Sequence, residues 1–68
     1  MTAEIVRNIR YAWGVTQPEF ARLLGVSTRT VSGWENGEPM TTRTLVMFEF
    51  IEALGYKKSF EILSKLSS

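Results

Sequence analysis

Residues 16–37 read TQPEFARLLGVSTRTVSGWENG, and this stretch decides the fold of the chain. Thr16 and Glu19 form a capping box, in which the Glu19 side chain reaches back to the amide of Thr16. Pro18 occupies the first helical turn, where its missing N–H costs nothing. An apolar stripe at helical spacing follows, formed by Phe20, Leu23 and Leu24. These features predict an amphipathic helix that begins at Thr16.

A second short helix follows after a tight turn. Gly25 lies just past the end of the first helix, where a left-handed backbone favours glycine. Ser27 caps the next helix after only one further residue, so the two helices must cross at a large angle. The second helix is predicted to run from about Thr28 to Glu35. The turn after it is marked by Asn36-Gly37.

The two sides of this second helix differ in chemistry. Val31 and Trp34 are three residues apart and are expected to face inward. The opposite side carries small polar and basic positions: Thr28, Arg29, Ser32 and Gly33. A helix with one side packed on a core and the other side polar or basic is typical of a helix offered to a DNA groove.

Three further helices and no strand complete the predicted fold, which is all-α and forms one domain over residues 1–68. Helix 1 runs from about Thr2, a possible cap, to Trp13. Helix 4 runs from about Thr42 to Leu54 and is apolar nearly all round, which predicts that it is the central core helix. Helix 5 runs from about Lys57 to Leu66.

The composition excludes several classes of function. The chain has no Cys, no His and no Asp, so it lacks disulfides, thiolate metal ligands and the commonest general base. We therefore expect no enzyme activity, no metal and no cofactor. No apolar run is long enough to span a membrane and Glu4 interrupts any signal sequence, which favours a cytoplasmic location. The net charge is only +1, so nucleic-acid affinity would depend on where the charges lie.

One run of the chain resembles the motif of the Cro/repressor-type helix-turn-helix family, often called XRE-like. The matching run is Gln17-x-Glu19-Phe20-Ala21-x-x-Leu24-Gly25-Val26-Ser27-x-x-Thr30-Val31-Ser32-x-Trp34-Glu35-x-Gly37. The resemblance implies a compact, five-helix, lambda-repressor-like bundle with the helix-turn-helix in helices 2 and 3. It also implies a phage or bacterial transcription regulator that binds double-stranded DNA.

In this family the N-terminal half of helix 3 enters the major groove. The resemblance therefore implies base-facing positions at Ser27, Thr28, Arg29, Ser32 and Gly33. Arg29 is the strongest candidate for reading sequence, because arginine can hold guanine O6 and N7 together. Gly33 is unexpected, since a mid-helix glycine costs about 1 kcal/mol relative to alanine. The family often has a long polar side chain there, and glycine would instead leave room for a base.

The resemblance also implies contacts with DNA phosphates and one ion pair. Gln17 matches a backbone clamp in the first turn of helix 2, where helix ends favour anions, and the other phosphate contacts are Asn36 and Arg43. A solvated Gln17, a turn-forming Asn36 with left-handed backbone and a surface Arg43 are the alternatives. Arg10 is implied to form a partly buried ion pair with Glu35, and a phosphate contact from Arg10 is the alternative.

Proteins of this type bind as two-fold dimers on half-sites about 34 Å apart, which implies a homodimer on a pseudo-palindromic operator. Helices 4 and 5 carry apolar residues that supply either a dimer surface or core: Met47, Tyr56, Phe60 and Leu63. Two functions stay open. One is a repressor-like or Cro-like DNA-binding regulator. The other is an antitoxin-type protein-interaction module that also binds its own promoter, which an exposed apolar C-terminal patch would favour.

Overall fold

The computed structural model describes residues 3–67, and most of them lie in five α-helices. The helices are α1 (Ala3–Trp13), α2 (Gln17–Leu24), α3 (Thr28–Glu35), α4 (Thr42–Leu54) and α5 (Tyr56–Ser67). No described residue lies in a β-strand, and the predicted all-α, five-helix fold is confirmed. The bounds of α3 and α4 are those predicted, and α5 is one residue longer at each end. Thr2, the predicted cap of α1, lies outside the described residues.

Local signals fix both ends of α2. The N–H of Thr16 donates to Oε1 of Glu19 at 2.9 Å, and the N–H of Glu19 donates to Oγ1 of Thr16 at 3.3 Å, which is the predicted capping box. At the other end Gly25 adopts a φ of +74°. The N–H of Val26 then donates to the carbonyl of Ala21 at 3.0 Å. This bond and the left-handed glycine form a Schellman motif, which turns the chain sharply toward α3.

The hydrophobic core lies mainly between the first three helices. Its buried apolar residues are Val6, Ile9, Trp13, Phe20, Ala21, Val31, Trp34, Phe48 and Ile51. The ring of Trp13 lies 5.3 Å from that of Phe20 and 5.7 Å from that of Phe60, measured between centroids, so α5 packs on the α1–α2 side. The indole N–H of Trp13 donates to the carbonyl of Tyr56 at 2.8 Å. The helix-turn-helix therefore stands on a shared core with α1 and α5.

The prediction that α4 is the central core helix is wrong. Only Phe48 and Ile51 of this helix are buried, and Phe50 is 65% exposed. The helix packs against α5 and reaches the core through Phe48, whose ring meets that of Trp34 edge to face at 5.3 Å. α4 carries its own apolar residues around the whole helix circumference, so its sequence pattern does not indicate which side is buried.

Beyond the buried Phe48 and Ile51, two sets of apolar residues on α4 and α5 differ in exposure. Met47, Tyr56, Phe60 and Leu63 are half-buried and pack against the core. The exposed set consists of Val46, Phe50, Leu54, Ile62 and Leu66. These five residues, on α4 and α5, are called the α4–α5 apolar stripe below.

Candidate nucleic-acid interface

α3 is anchored on one side and open on the other. Val31 is fully buried, and Trp34 and Glu35 are also buried. On the opposite side Thr28 and Arg29 are exposed, Ser32 is half-buried and Gly33 is buried. The buried side holds α3 in place, and its outward side chains cannot turn into the core because the inward positions are already filled.

An ion pair fastens the end of α3 to α1. Nε of Arg10 donates to Oε2 of Glu35 at 2.7 Å, and Nη2 donates to Oε1 at 3.1 Å. Nη1 of Arg10 donates to the carbonyl of Val15 at 3.2 Å. The guanidinium thus holds the carboxylate in two-point geometry and also fixes the segment between α1 and α2.

Gln17 belongs to the same network. Its Nε2 donates to Oε1 of Glu35 at 3.1 Å, and the amide orientation is set by the carboxylate, which can only accept. Nη1 of Arg7 donates to the backbone carbonyl of Glu35. The position predicted to clamp a phosphate is therefore half-buried and tied to α3. Sequence spacing alone did not indicate this hydrogen bond, because Gln17 and Glu35 are far apart in the chain.

The network shifts two pKa values. Burial of the Glu35 carboxylate acts to raise its pKa. Hydrogen bonds from Arg10 and Gln17, with the attraction of the Arg10 and Arg7 charges, together outweigh burial, and the pKa lies below its ordinary value of 4.5. The hydrogen bond to Glu35 raises the pKa of Arg10 in turn. Both shifts stabilise the charged forms, so the pair is ionised at neutral pH.

The N-terminus of α3 is capped by a residue that was also predicted to face bases. Oγ of Ser27 accepts from the N–H of Thr30 at 3.1 Å and lies 2.8 Å from Oγ1 of Thr30. Ser27 remains exposed, and so do Thr28 and Arg29 directly after it. Ser32 is half-buried. The structure thus brings Ser27, Thr28 and Arg29 together at one exposed end of the helix.

Gly33 differs from expectation, because it is buried instead of open to base edges. A Cβ added at Gly33 would lie 2.6 Å from Oε1 of Glu38 and 2.9 Å from its Cδ. The carboxylate of Glu38, an exposed residue of the following loop, therefore occupies the space where a side chain at position 33 would stand. Glu38 is not among the predicted site residues, although its position just after Gly37 is a signal for it.

The remaining two predicted phosphate contacts are exposed. Asn36 caps the end of α3 and lies in the turn after it, with a φ of −96° that is not left-handed. Gly37 takes that conformation instead, at a φ of +87°. Arg43 lies in the first turn of α4. Both side chains are accessible, whereas Gln17 is partly enclosed.

Residues 3–67 contain no group of three or more acidic, His or Cys side chains placed to hold a metal ion. None of the helices described above has the length and apolar character needed to cross a membrane.

Comparison with known proteins gives one positive result. A family model, HTH_3, described as Helix-turn-helix, matches residues 6–62. No curated protein and no solved structure gives a significant match. The matched range includes the ion pair between α1 and α3, all of α2, α3 and α4, and α5 up to Ile62.

Proposed function

The chain belongs to the helix-turn-helix family HTH_3, whose members are DNA-binding transcription regulators, and from this premise we propose that it binds double-stranded DNA in a sequence-specific, repressor-like or Cro-like manner. The chief support is the rigid outward side of α3, where Thr28 and Arg29 are exposed while Val31, Trp34 and Glu35 are held in the core. A helix of this kind fits the major groove, which admits one α-helix.

Arg29 is the proposed main reader of sequence. Its guanidinium is exposed at the N-terminal end of α3, where recognition helices contact base edges. Paired hydrogen bonds to guanine O6 and N7 give discrimination of about 1–3 kcal/mol. Thr28 offers a methyl group to a thymine methyl and a hydroxyl to a base or phosphate. Ser27 and Ser32 contribute their hydroxyls, although that of Ser27 already caps the helix.

Phosphate contacts are proposed to position the helix. Asn36 and Arg43 are exposed at the two ends of the loop that follows α3. Gln17 lies in the first turn of α2, where free amides and the helix dipole favour an anion. Because its Nε2 already donates one hydrogen to Glu35, Gln17 is proposed to contact the phosphate with the second hydrogen of its side-chain amide. We therefore expect Gln17→Ala to weaken binding to all sequences alike.

A homodimer is proposed as the form that binds DNA. One α3 with a single arginine gives few contacts, whereas two copies on a pseudo-palindromic site double them. The α4–α5 apolar stripe supplies a surface for pairing, and exposed Phe50 and Leu66 are its most accessible members. Packing the stripe of one copy against that of a second copy removes apolar surface from water on both partners.

The same stripe favours the second candidate function. An antitoxin-type module that binds another protein and represses its own promoter would use the stripe for that protein. Sedimentation across concentrations separates the two. A monomer–dimer equilibrium in the micromolar range supports the homodimer, and a monomer at all concentrations supports the interaction module.

The test of DNA recognition is in-vitro selection from a random duplex pool, followed by fluorescence anisotropy with the selected site. We expect an enriched two-fold symmetric sequence, with affinity that falls steeply as salt increases. Arg29→Ala should lose about 1–3 kcal/mol of binding free energy and relax preference at one base pair per half-site. Selection that enriches no sequence, or binding affinity that does not change with salt, contradicts the proposal.

A further inference from the structure

We propose that Glu38 is a second reader of sequence, whose carboxylate accepts a hydrogen bond from the N4 amino group of a cytosine one or two base pairs from the base pair read by Arg29. The inference rests on the proposed function, because it concerns the same DNA interface. It adds a base contact from the loop after α3, at a position outside the helix itself.

The end of α3 holds Glu38 in place. The N–H of Glu38 donates to the carbonyl of Gly33 at 2.9 Å, and the N–H of Gly37 donates to the carbonyl of Trp34 at 3.1 Å. With the left-handed Gly37, these bonds form a Schellman motif. The motif folds residue 38 back across the last turn of the helix, and its side chain comes to lie over Gly33.

This placement puts the carboxylate on the outward side of α3. Gly33 and Arg29 are four residues apart, so their Cα–Cβ directions lie on one side of the helix. The Glu38 oxygens stand where a Cβ at Gly33 would point. Arg29 and Glu38 also line one surface cavity between α3 and the following loop. The missing side chain at position 33 is thus replaced by a carboxylate that reaches over from residue 38.

The corresponding position after α2 shows that the motif does not require a charge. There Val26 follows the left-handed Gly25, is half-buried and packs against the core. An apolar residue at this position is the common choice, since it contacts the end of the helix. Glu38 instead exposes a charge, and among residues 3–67 no hydrogen bond or ion pair engages its carboxylate.

The chemistry of the carboxylate selects the base. An ionised carboxylate only accepts hydrogen bonds, and phosphates repel it, so its favourable partners in DNA are the amino groups in the major groove. Adenine presents its N6 amino group beside the N7 acceptor, which repels the carboxylate. Cytosine presents the N4 amino group without an adjacent acceptor on the same base, and Glu is a known match for it.

The spacing along α3 sets the distance between the two contacts. Residues four apart on a helix are about 6 Å apart along its axis. Base pairs are stacked about 3.4 Å apart. The cytosine is therefore expected one or two base pairs from the guanine that Arg29 reads.

The test is parallel in-vitro selection with the wild-type chain, Glu38→Gln and Glu38→Ala. The wild type should enrich cytosine at one position, one or two base pairs from the Arg29 guanine. In anisotropy titrations, replacing that C·G pair by A·T should weaken wild-type binding about tenfold, within the discrimination usual for one base contact. Glu38→Ala should reduce the difference to within about twofold, and Glu38→Gln should prefer adenine there.

Glu61→Ala is the matched control, because it removes one exposed negative charge from α5. It should leave the selected sequence as in the wild type. If Glu38→Ala and Glu38→Gln select the wild-type site and bind every sequence more tightly by one common factor, the carboxylate only repels phosphate and the inference is overturned. If the wild type itself enriches no sequence, the proposed function fails first, and the inference fails with it.

Discussion

Glu35 and Glu38 lie three residues apart at the end of α3, yet their surroundings are opposite. The carboxylate of Glu35 is buried and accepts hydrogen bonds from Arg10 and Gln17. The carboxylate of Glu38 is exposed, lies over Gly33 and has no hydrogen-bond or ion-pair partner within the described range 3–67.

The difference separates a structural charge from an available one. A buried carboxylate must be paired, because desolvation of an unpaired charge costs several kcal/mol. Glu35 therefore contributes to the fold, since its partners lie on α1 and α2 and tie both helices to the end of α3. An exposed carboxylate remains hydrated and needs no partner in the free protein. The Schellman motif at Gly37 nevertheless fixes the backbone of residue 38, so the flexible side chain starts beside Gly33 and its charge is available to a ligand.

The largest effect on stability is expected when the Glu35 carboxylate loses its ion-pair partner, the Arg10 guanidinium. Arg10→Ala should lower the free energy of unfolding by about 2–3 kcal/mol, below the range of fully buried pairs because Arg10 is partly exposed. Urea denaturation followed by tryptophan fluorescence measures the change. Arg29→Ala is the control, since Arg29 is exposed, and should change stability by less than about 0.5 kcal/mol. Equal effects of the two variants would contradict a structural role for the ion pair.

A smaller effect is expected from pH. Because the pKa of Glu35 in the folded state lies below its ordinary value of 4.5, its contribution to stability is present above that value and is lost as pH falls through the folded pKa. Glu35→Gln should therefore lose less stability than the wild type between pH 5.5 and pH 3, as read from denaturation midpoints in that range. Hydrogen bonds from the backbone and hydroxyl of Thr16 lower the pKa of Glu19 and leave a residual dependence in both proteins. Parallel curves would show that Glu35 is not the responsible group.

Gly33→Ala tests the space under Glu38. Alanine is favoured over glycine inside a helix by about 1 kcal/mol, and the clash at 2.6 Å involves the end of a flexible side chain that can move away. A gain in stability of about 0.5–1 kcal/mol is expected from the same denaturation experiment. Because the carboxylate must move, the cytosine preference should weaken as well. A destabilised variant would mean that Glu38 is held more firmly than its exposure indicates.

The smallest effect on stability is expected at Glu38 itself. Glu38→Gln removes a charge that has no partner in the part of the chain described here, so the free energy of unfolding should change by less than about 0.5 kcal/mol. The same variant is expected to change base preference. A loss of stability as large as that of Arg10→Ala would place Glu38 with Glu35 among the structural charges.

Most of the helical pattern was predictable because its signals are local. The capping box at Thr16 and Glu19, the left-handed Gly25 and the cap at Ser27 each act within a few residues, and all are present as predicted. The side of α3 that faces the core was predictable for the same reason, since Val31 and Trp34 follow helical spacing. The placement of α4 was not predictable, because apolar residues occur on every side of this helix.

The five helices, the tight turn between α2 and α3 and the polar outward side of α3 are encoded locally, since all of these follow from contacts between near neighbours in the chain. Three features instead arise from tertiary packing: Gln17 joins the Arg10–Glu35 pair, α4 lies at the edge of the core, and Glu38 covers Gly33. The first two depend on segments brought together across the chain. The third depends on a backbone reversal at Gly37 whose direction becomes visible only in three dimensions.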